Sequence, residues 1–372
     1  MLKSWAPLTI AVLVLLVSWR PTPGTAIPIF SHQYDVACSK CHAVIPHLNA
    51  FGAAFMASGY RIPGVKPGPA FPVSAKANLV DSSEHQGDGP DGAGLPNAIV
   101  DEVELFTAGA IGDRSSFLVE QYAVDGGEHG LLRDAWVIDN PNPWGSKIPL
   151  QLQAGSFTLP LPVDPETFRE TYADYAPYVQ TVGTNSFTFF VPKIGARLQI
   201  GNPFRGLNVQ VFGGPGHDRQ SGLPSTGTDV MFSAQENVGP FALTAFRYSG
   251  TRPSTPGMLD SFERTGYGIV FDQWGRLSSE NVLITGNDTN CGIGGACQSS
   301  GGFTQLRWAF DRRLFALARY EGTNDPVNGF SRDGIVLLGY GLSERSRITI
   351  EDVITHSPRT SHTLNAQFTI AY

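Results

Sequence analysis

Charge is scarce in this 372-residue sequence, where Asp, Glu, Lys and Arg make up only 16% of positions, well under the roughly one quarter usual for soluble domains. The 33 acidic residues outnumber the 26 basic ones, leaving a formal net charge of -7. A cationic footprint for nucleic acid is therefore missing. Past residue 20 there is also no apolar run of the ~18 residues that a spanning helix needs, which argues against a helical membrane protein. Methionine and cysteine number four each, against Gly 42, Pro 27 and Phe 23. Such a chain is rich in turns and aromatics and poor in helix formers, an all-β profile.

The N-terminus has the make-up of a secretory signal peptide: Lys3, an apolar stretch from Leu8 to Trp19, and the small-residue site Gly24-Thr25-Ala26. Residues 1–26 are expected to be removed, with cleavage after Ala26, because the apolar stretch is too short to cross a bilayer. Residues 27–70 form a second unit with a helix-like stretch from Pro46 to Tyr60, its Leu48, Phe51 and Phe55 on one side. This unit is expected to be short and mostly helical.

From about Val73 the pattern changes to short β-prone runs separated by Gly, Pro, Asn, Asp and Ser. The remainder, 71–372, is expected to hold about sixteen strands, near 74–82, 99–111, 115–124, 131–139, 149–157, 186–200, 206–214, 228–237, 241–250, 262–272, 278–287, 301–310, 314–322, 333–341, 346–355 and 361–372. An even count suits a bacterial transmembrane barrel. So does the rhythm of connections, in which tight links (112–114, 311–313, 343–345) alternate with long ones (82–98, 158–185, 215–227, 288–300). Leu207, Val209 and Val211 alternate with Asn208 and Gln210, Leu150 and Leu152 with Gln151 and Gln153, and Leu306, Trp308 and Phe310 with Gln305 and Arg307. Apolar outside and polar inside is the order of a lipid-embedded barrel, whereas a soluble sandwich would turn its apolar face inward. The last run, Leu364, Ala366, Phe368, Ile370 and Tyr372, repeats the alternation and closes on an aromatic. The expected fold is thus a transmembrane antiparallel barrel preceded by a small helical segment.

Within that segment stands Cys38-Ser39-Lys40-Cys41-His42. Two thiols spaced by two residues can each add to one vinyl group along an edge of a porphyrin, and the adjoining imidazole can reach the iron. The motif predicts one covalent haem c, with Cys38 and Cys41 as attachment points and His42 as proximal ligand. A redox pair would want a βαβ context and a zinc site a second ligand pair; the sequence shows neither. Export also places the motif where haem of this type is attached. For the opposite axial position His32, His47 and Met56 are all within reach in sequence; Met56, one helix beyond the motif, is the choice made here. No second CxxCH exists, so a multihaem wire is excluded. Cys291 and Cys297, in a loop, are expected to pair as a disulfide.

Cys38-x-x-Cys41-His42, Pro46-x-Leu48, Phe51-Gly52, Phe55 and Gly59-Tyr60 together resemble the fused monohaem cytochrome-porins of iron-oxidising bacteria. The close match covers about residues 28 to 62; the barrel matches in architecture, including Gly155-Ser156-Phe157-x-Leu159-Pro160-Leu161 before a long loop. The resemblance implies an outer-membrane protein that oxidises extracellular Fe(II) and passes the electron through its haem to a periplasmic carrier such as a soluble cytochrome. This sequence has Ser31-His32-Gln33 where an arginine often precedes the glutamine, and it is shorter.

One haem serving both sides of an apolar band about 25 Å tall should lie in the barrel lumen or at its periplasmic side. Glu102, Glu104, Glu120, Arg307 and Glu351 are expected to face the lumen and line or grip the haem segment. His85, His129, His217 and His356 fall in external loops, often beside acids such as Glu84, Asp88, Asp91, Asp125, Glu128 and Asp218. Such loops could collect a divalent cation, or simply be solvated. Two other functions stay open: a diffusion porin with a haem-containing plug, and electron delivery outward to extracellular acceptors.

Overall fold

The computed structural model describes residues 28–372 apart from 45, 63, 69–72, 84–97, 143–147, 166–168, 217–226, 256–257, 273–275, 293–294, 328 and 358. The expected signal segment, and the loop positions Glu84, His85, Asp88, Asp91, His217 and Asp218, lie outside the described residues.

The N-terminal unit opens with helix α1 (Pro28–Tyr34), a single 3-10 turn at Cys38–Lys40, a two-strand hairpin of His42–Val44 with His47–Leu48, and helix α2 (Ala50–Ala57). It is less helical than the sequence pattern suggests, since Pro46 breaks the stretch and α2 starts only after Asn49. Sixteen long strands follow: β1 (Ser74–Ser82), β2 (Ala98–Ile111), β3 (Ser115–Asp125), β4 (Leu132–Asn142), β5 (Leu150–Phe157), β6 (Lys193–Asn202), β7 (Arg205–Gly214) and β8 (Asp229–Val238). The second half comprises β9 (Phe241–Thr255), β10 (Met258–Asp272), β11 (Leu277–Asp288), β12 (Cys297–Ala309), β13 (Leu314–Asp325), β14 (Gly329–Ser343), β15 (Ser346–Ser357) and β16 (Arg359–Ala371). A two-residue piece, Glu128–His129, pairs with the end of β3. Every neighbour is antiparallel and β16 pairs with β1, Phe368 opposite Leu79, so the sheet is closed.

The expected alternation is realised in space. Leu207 is 58% exposed while Asn208 is 1% exposed; Leu306, Trp308 and Phe310 face out while Gln305 and Arg307 are buried. Leu364 and Tyr372 point outward as well, against buried Asn365, Gln367 and Thr369. An outer wall of Leu, Val, Ile and aromatics is a severe liability in water and the normal condition in hydrocarbon. No helix among the described residues is long and apolar enough to cross a membrane; the strands do the crossing.

One end of the barrel carries tight connections throughout most of its circumference, at 112–114, 203–204, 239–240, 273–276, 310–313 and 344–345. We call this the turn end. Long connections, 83–97, 158–192, 215–228 and 289–296, sit at the other, the loop end. Three loop-end links are short, between β9 and β10, β13 and β14, and β15 and β16; at the first two, β9, β10 and β14 run to 15 residues.

Two expectations need correction. The run near 186–200 joins the sheet only at Lys193; Phe187 and Phe189 before it are buried inside the lumen. They belong to the 158–192 connection, which folds into the barrel instead of standing outside it. Its helix α3 (Ala176–Val179) packs on β12 and β13. The lumen is accordingly less polar than the usual pore wall: Phe246, Tyr248, Phe262 and Phe303 face inward against the rings of this loop, and Phe212 and Met231 join the same buried cluster. Val336 stands mid-strand on the outer face, 62% exposed. Val336→Arg should cost about 2–4 kcal/mol of folding free energy in liposomes, measured by denaturant titration, whereas Val336→Leu should be near neutral.

Candidate functional site

The CxxCH turn is shaped by its own backbone. The Lys40 and Cys41 amides donate to the Ala37 and Cys38 carbonyls at 2.9 Å each, so both cysteines come from one tight turn. Asn49 then ties this turn to α2. Its amide donates to the Cys41 carbonyl at 2.9 Å, its Nδ2 to the Ser39 carbonyl at 3.2 Å, and its Oδ1 accepts from the Gly52 amide at 3.0 Å. Asn49 is therefore both the helix N-cap and the clasp of the motif. It was not singled out from sequence, although an Asn just before a helical run is a capping signal. Gly52 has a strict reason to be glycine: a Cβ there would run into the Cys41 carbonyl.

An aromatic cluster seats the segment on the wall. Tyr60 stacks between Phe30 at 4.6 Å and Trp136 of β4 at 5.5 Å, with Phe55 edge-on at 5.6 Å. The turn that presents Tyr60 needs positive φ at Gly59 (69°) and Tyr60 itself (61°). Polar ties complete the seating: Gln33 Nε2 donates to the Ala108 carbonyl at 2.7 Å and Gln151 Nε2 to the Ala57 carbonyl at 3.2 Å. Ser39 Oγ donates to Glu344 in the β14–β15 turn at 2.9 Å, and His47 Nε2 lies 3.7 Å from Asp272 at the end of β10. The motif thus sits at the turn end of the lumen.

Cys38, Cys41, His42, His47 and Met56 line one cavity of about 450 Å³ between the segment and the wall, within the range of small-molecule and cofactor sites. His32 is exposed on α1 and does not line it. His42 Nδ1 is 2.8 Å from the Pro46 carbonyl. A carbonyl only accepts, so Nδ1 carries the proton and Nε2 keeps its lone pair. Burial lowers the His42 pKa to about 4, against the opposing pull of that hydrogen bond. The ring is neutral at physiological pH, the form that binds a metal.

Burial pushes the Cys38 thiol up to about 12, with the Glu344 carboxylate adding to it, and the Cys41 thiol up to about 11. A working redox pair has a lowered thiol pKa, so the thiol-exchange reading is disfavoured. Among the described residues no cluster of three or more His, Cys, Asp and Glu could hold a bare metal ion. The donor set fits haem c instead: paired thiols on one turn, an oriented neutral imidazole, and an adjoining cavity with two further candidate axial donors, Met56 and His47.

The expected grip residues hold a different partner from the one foreseen. Arg307 Nε donates to Glu170 at 2.7 Å, and the Glu351 carboxylate accepts from the Tyr172 and Ala173 amides at 2.9 and 3.0 Å. Glu321 likewise accepts from the Ala176 amide at 3.1 Å. All three clamp the inward 158–192 loop. Glu104 pairs with Lys76 at 2.5 Å and Glu102 accepts from Asn78 at 2.5 Å, wall to wall; Glu120 lines the cavity. Cys291 and Cys297 form a disulfide with Cα atoms 6.2 Å apart; the Cys291 carbonyl accepts from the Thr184 amide of the inward loop at 3.1 Å. The expected loop positions His129 and His356 fall instead in the two-residue strand piece and near the end of β15; His129 Nδ1 contacts the Gly130 carbonyl and His356 Nδ1 the Thr360 hydroxyl.

A closed sixteen-strand antiparallel barrel with a long connection folded into its lumen is the architecture of the outer-membrane porins. The chain is similar in structure to an anion-selective porin from Comamonas acidovorans, with a TM-score of 0.58 at 11% identity over 81% of this chain and 97% of that one. It is similar also to Salmonella typhi OmpF, solved in complex with daunomycin, at 0.59 and 12% over 82% and 98%. The outer membrane channel DcaP of Acinetobacter baumannii gives 0.56 and 10% over 81% and 96%. No family model matches the chain, and no curated protein does. These likenesses establish the fold.

Gly52→Val should lift α2 off the Cys41 carbonyl and free the N-terminal segment. Limited proteolysis in detergent is expected to cleave the variant within residues 28–68 at least tenfold faster while the barrel keeps its heat-modifiable mobility on gels.

Proposed function

We propose that this protein is an outer-membrane electron conduit in which one haem c, attached through Cys38 and Cys41 and ligated by His42, sits at the periplasmic mouth of a porin-type barrel. The observation that carries this reading is the convergence of both thiols and an oriented, neutral His42 on one cavity inside the barrel. Porin-type barrels place tight turns on the periplasmic side, which puts the motif where a soluble periplasmic carrier such as a cytochrome can exchange electrons with it. Bound there, the haem would supply a reversible one-electron iron couple. The chain supplies the rest: Pro46 orients His42, Asn49 holds the turn, and the Phe30, Phe55 and Tyr60 cluster keeps the site dry. Met56 is the proposed axial donor opposite His42, with His47 on the same cavity as its rival. Fe(II) as the external donor rests on the family resemblance alone, and electron flow in the outward direction would use the same residues.

The porin fold itself favours a second reading, a diffusion channel with a haem-bearing plug. Against an open channel stands the filling of the lumen by two inward elements and the aromatic wall that covers one of them.

Expressed with a c-type maturation system, the protein should keep haem on a denaturing gel, and Cys38→Ala with Cys41→Ala should abolish it. Met56→Ala should change the haem absorption spectrum and His47→Ala should leave it unaltered; the reverse would make His47 the ligand. Loaded protein that accepts no electron from Fe(II) or any other external donor, and reduces no soluble cytochrome, would remove the conduit reading. In planar bilayers the protein should conduct weakly, and Glu321→Ala with Glu351→Ala should raise single-channel conductance several-fold. Large, stable wild-type channels with the haem segment in place would instead support diffusion.

A further inference from the structure

The cavity lined by Cys38, Cys41 and His42 is lined also by four cationic side chains, Lys76, Arg133, Arg169 and Arg197, set among the carboxylates of Glu104, Glu120, Asp134 and Asp164. Lys76 and Arg169 form ion pairs with carboxylates, and Arg133 acts electrostatically on Glu102 and Glu104. Lys76 Nζ lies 2.5 Å from Glu104, and Arg169 pairs with Asp174. Arg133 lies over the Tyr122 and Phe190 rings, 5.2 and 4.6 Å from their centroids. Arg197 of β6 lies over the Phe157 ring at 5.5 Å, and its Nε is buried with no hydrogen-bond partner among the described residues. Asp134, Asp164 and the Tyr60 hydroxyl are the groups that act electrostatically on Arg197.

A buried guanidinium nitrogen left unbonded is costly, and its natural partner is an oxyanion that can take its planar fork. Haem carries its vinyl carbons on one edge and its two propionates on the opposite edge. With the vinyl edge held by Cys38 and Cys41, the propionate edge is directed away from them into the cavity that Arg197 also lines. We propose that Arg197, assisted by Arg133, is the propionate-binding site of this protein, so that it sets both the seating and the charge environment of the haem. This inference rests on the haem-conduit reading. Two propionates drawn into a lumen of low polarity need such cations to remain ionised. Arg197 is a positioning residue here and makes no covalent bond to the group.

The test uses full-length, haem-loaded protein in detergent and the variants Arg197→Gln, Arg197→Lys, Arg133→Gln and, as a charge-matched control at the exposed turn-end rim, Arg205→Gln. Covalent haem on denaturing gels is read first, then the midpoint potential as a function of pH. All variants should retain thioether-bound haem. Loss of the cation in Arg197→Gln should lower the potential, because the ferric state gains relative stability, and should move the propionate inflection upward by about one pH unit or more. Arg133→Gln should shift both the same way by less, Arg197→Lys should fall between wild type and Arg197→Gln, and Arg205→Gln should match wild type. Attached haem whose potential and inflection are the same in Arg197→Gln and wild type would overturn the assignment. A wild-type chain that takes up no haem overturns the conduit reading, and this proposal with it. Should Arg197→Gln fail to fold, Arg197→Lys and Arg133→Gln decide by the same two readouts.

Discussion

Closure of the sheet is the constraint from which the rest of this structure follows. In hydrocarbon no water is available to satisfy an unpaired amide or carbonyl, so an open strand edge cannot be left facing lipid. The pairing of β16 with β1, reinforced by mutual backbone hydrogen bonds between Ala75 and Tyr372 at 2.7 and 2.8 Å, removes that edge. Once sixteen strands are closed they enclose a lumen too wide for wall side chains alone to fill. Whatever enters that space decides what the barrel can do.

Two segments enter it, from opposite ends and by different chemistry. The 158–192 loop descends from the loop end and is held by carboxylates and an arginine that the wall presents to its backbone and to Glu170. The N-terminal segment enters from the turn end and is held chiefly by stacked rings, Tyr60 on Trp136 and Phe30. Where they meet, a cavity remains, lined by the CxxCH residues, by half-buried cations that include Arg197 and by carboxylates that include the buried Asp134. The proposed haem, with one apolar and one acidic edge, would use such an arrangement. The disulfided loop at Cys291 braces the returning limb of the inward loop at Thr184, so the filling is secured at the loop end as well.

Much of the wall was legible in the residue pattern, because the pleat turns period-two alternation directly into inside and outside. Leu306, Trp308 and Phe310 against Gln305 and Arg307 needed no neighbour to be interpreted. The pattern misled where both faces are apolar. Met231 is fully buried in the lumen cluster whereas the adjoining Phe232 is exposed on the outer face, so both faces of this stretch are apolar. For the same reason Phe187 and Phe189 passed as part of a strand although they are lumen filling. Asn49 carried a capping signal that the CxxCH motif overshadowed, whereas the importance of Arg197 lies in groups far from it in sequence, Tyr60 and Asp134 among them.

By itself, then, the sequence determined the barrel, its strand number and the facing of most wall positions, and it set two thiols and an imidazole on one turn, all of which are local in origin: alternation along a strand, turn residues between strands, and the spacing of Cys38, Cys41 and His42. Only the tertiary structure decided that the longest described connection folds inward, that Glu351, Glu321 and Arg307 clamp this loop and not the N-terminal segment, and that the motif and Arg197 line one cavity. These depend on which side chains face one another across a lumen, and chain order carries no record of distances across a closed sheet.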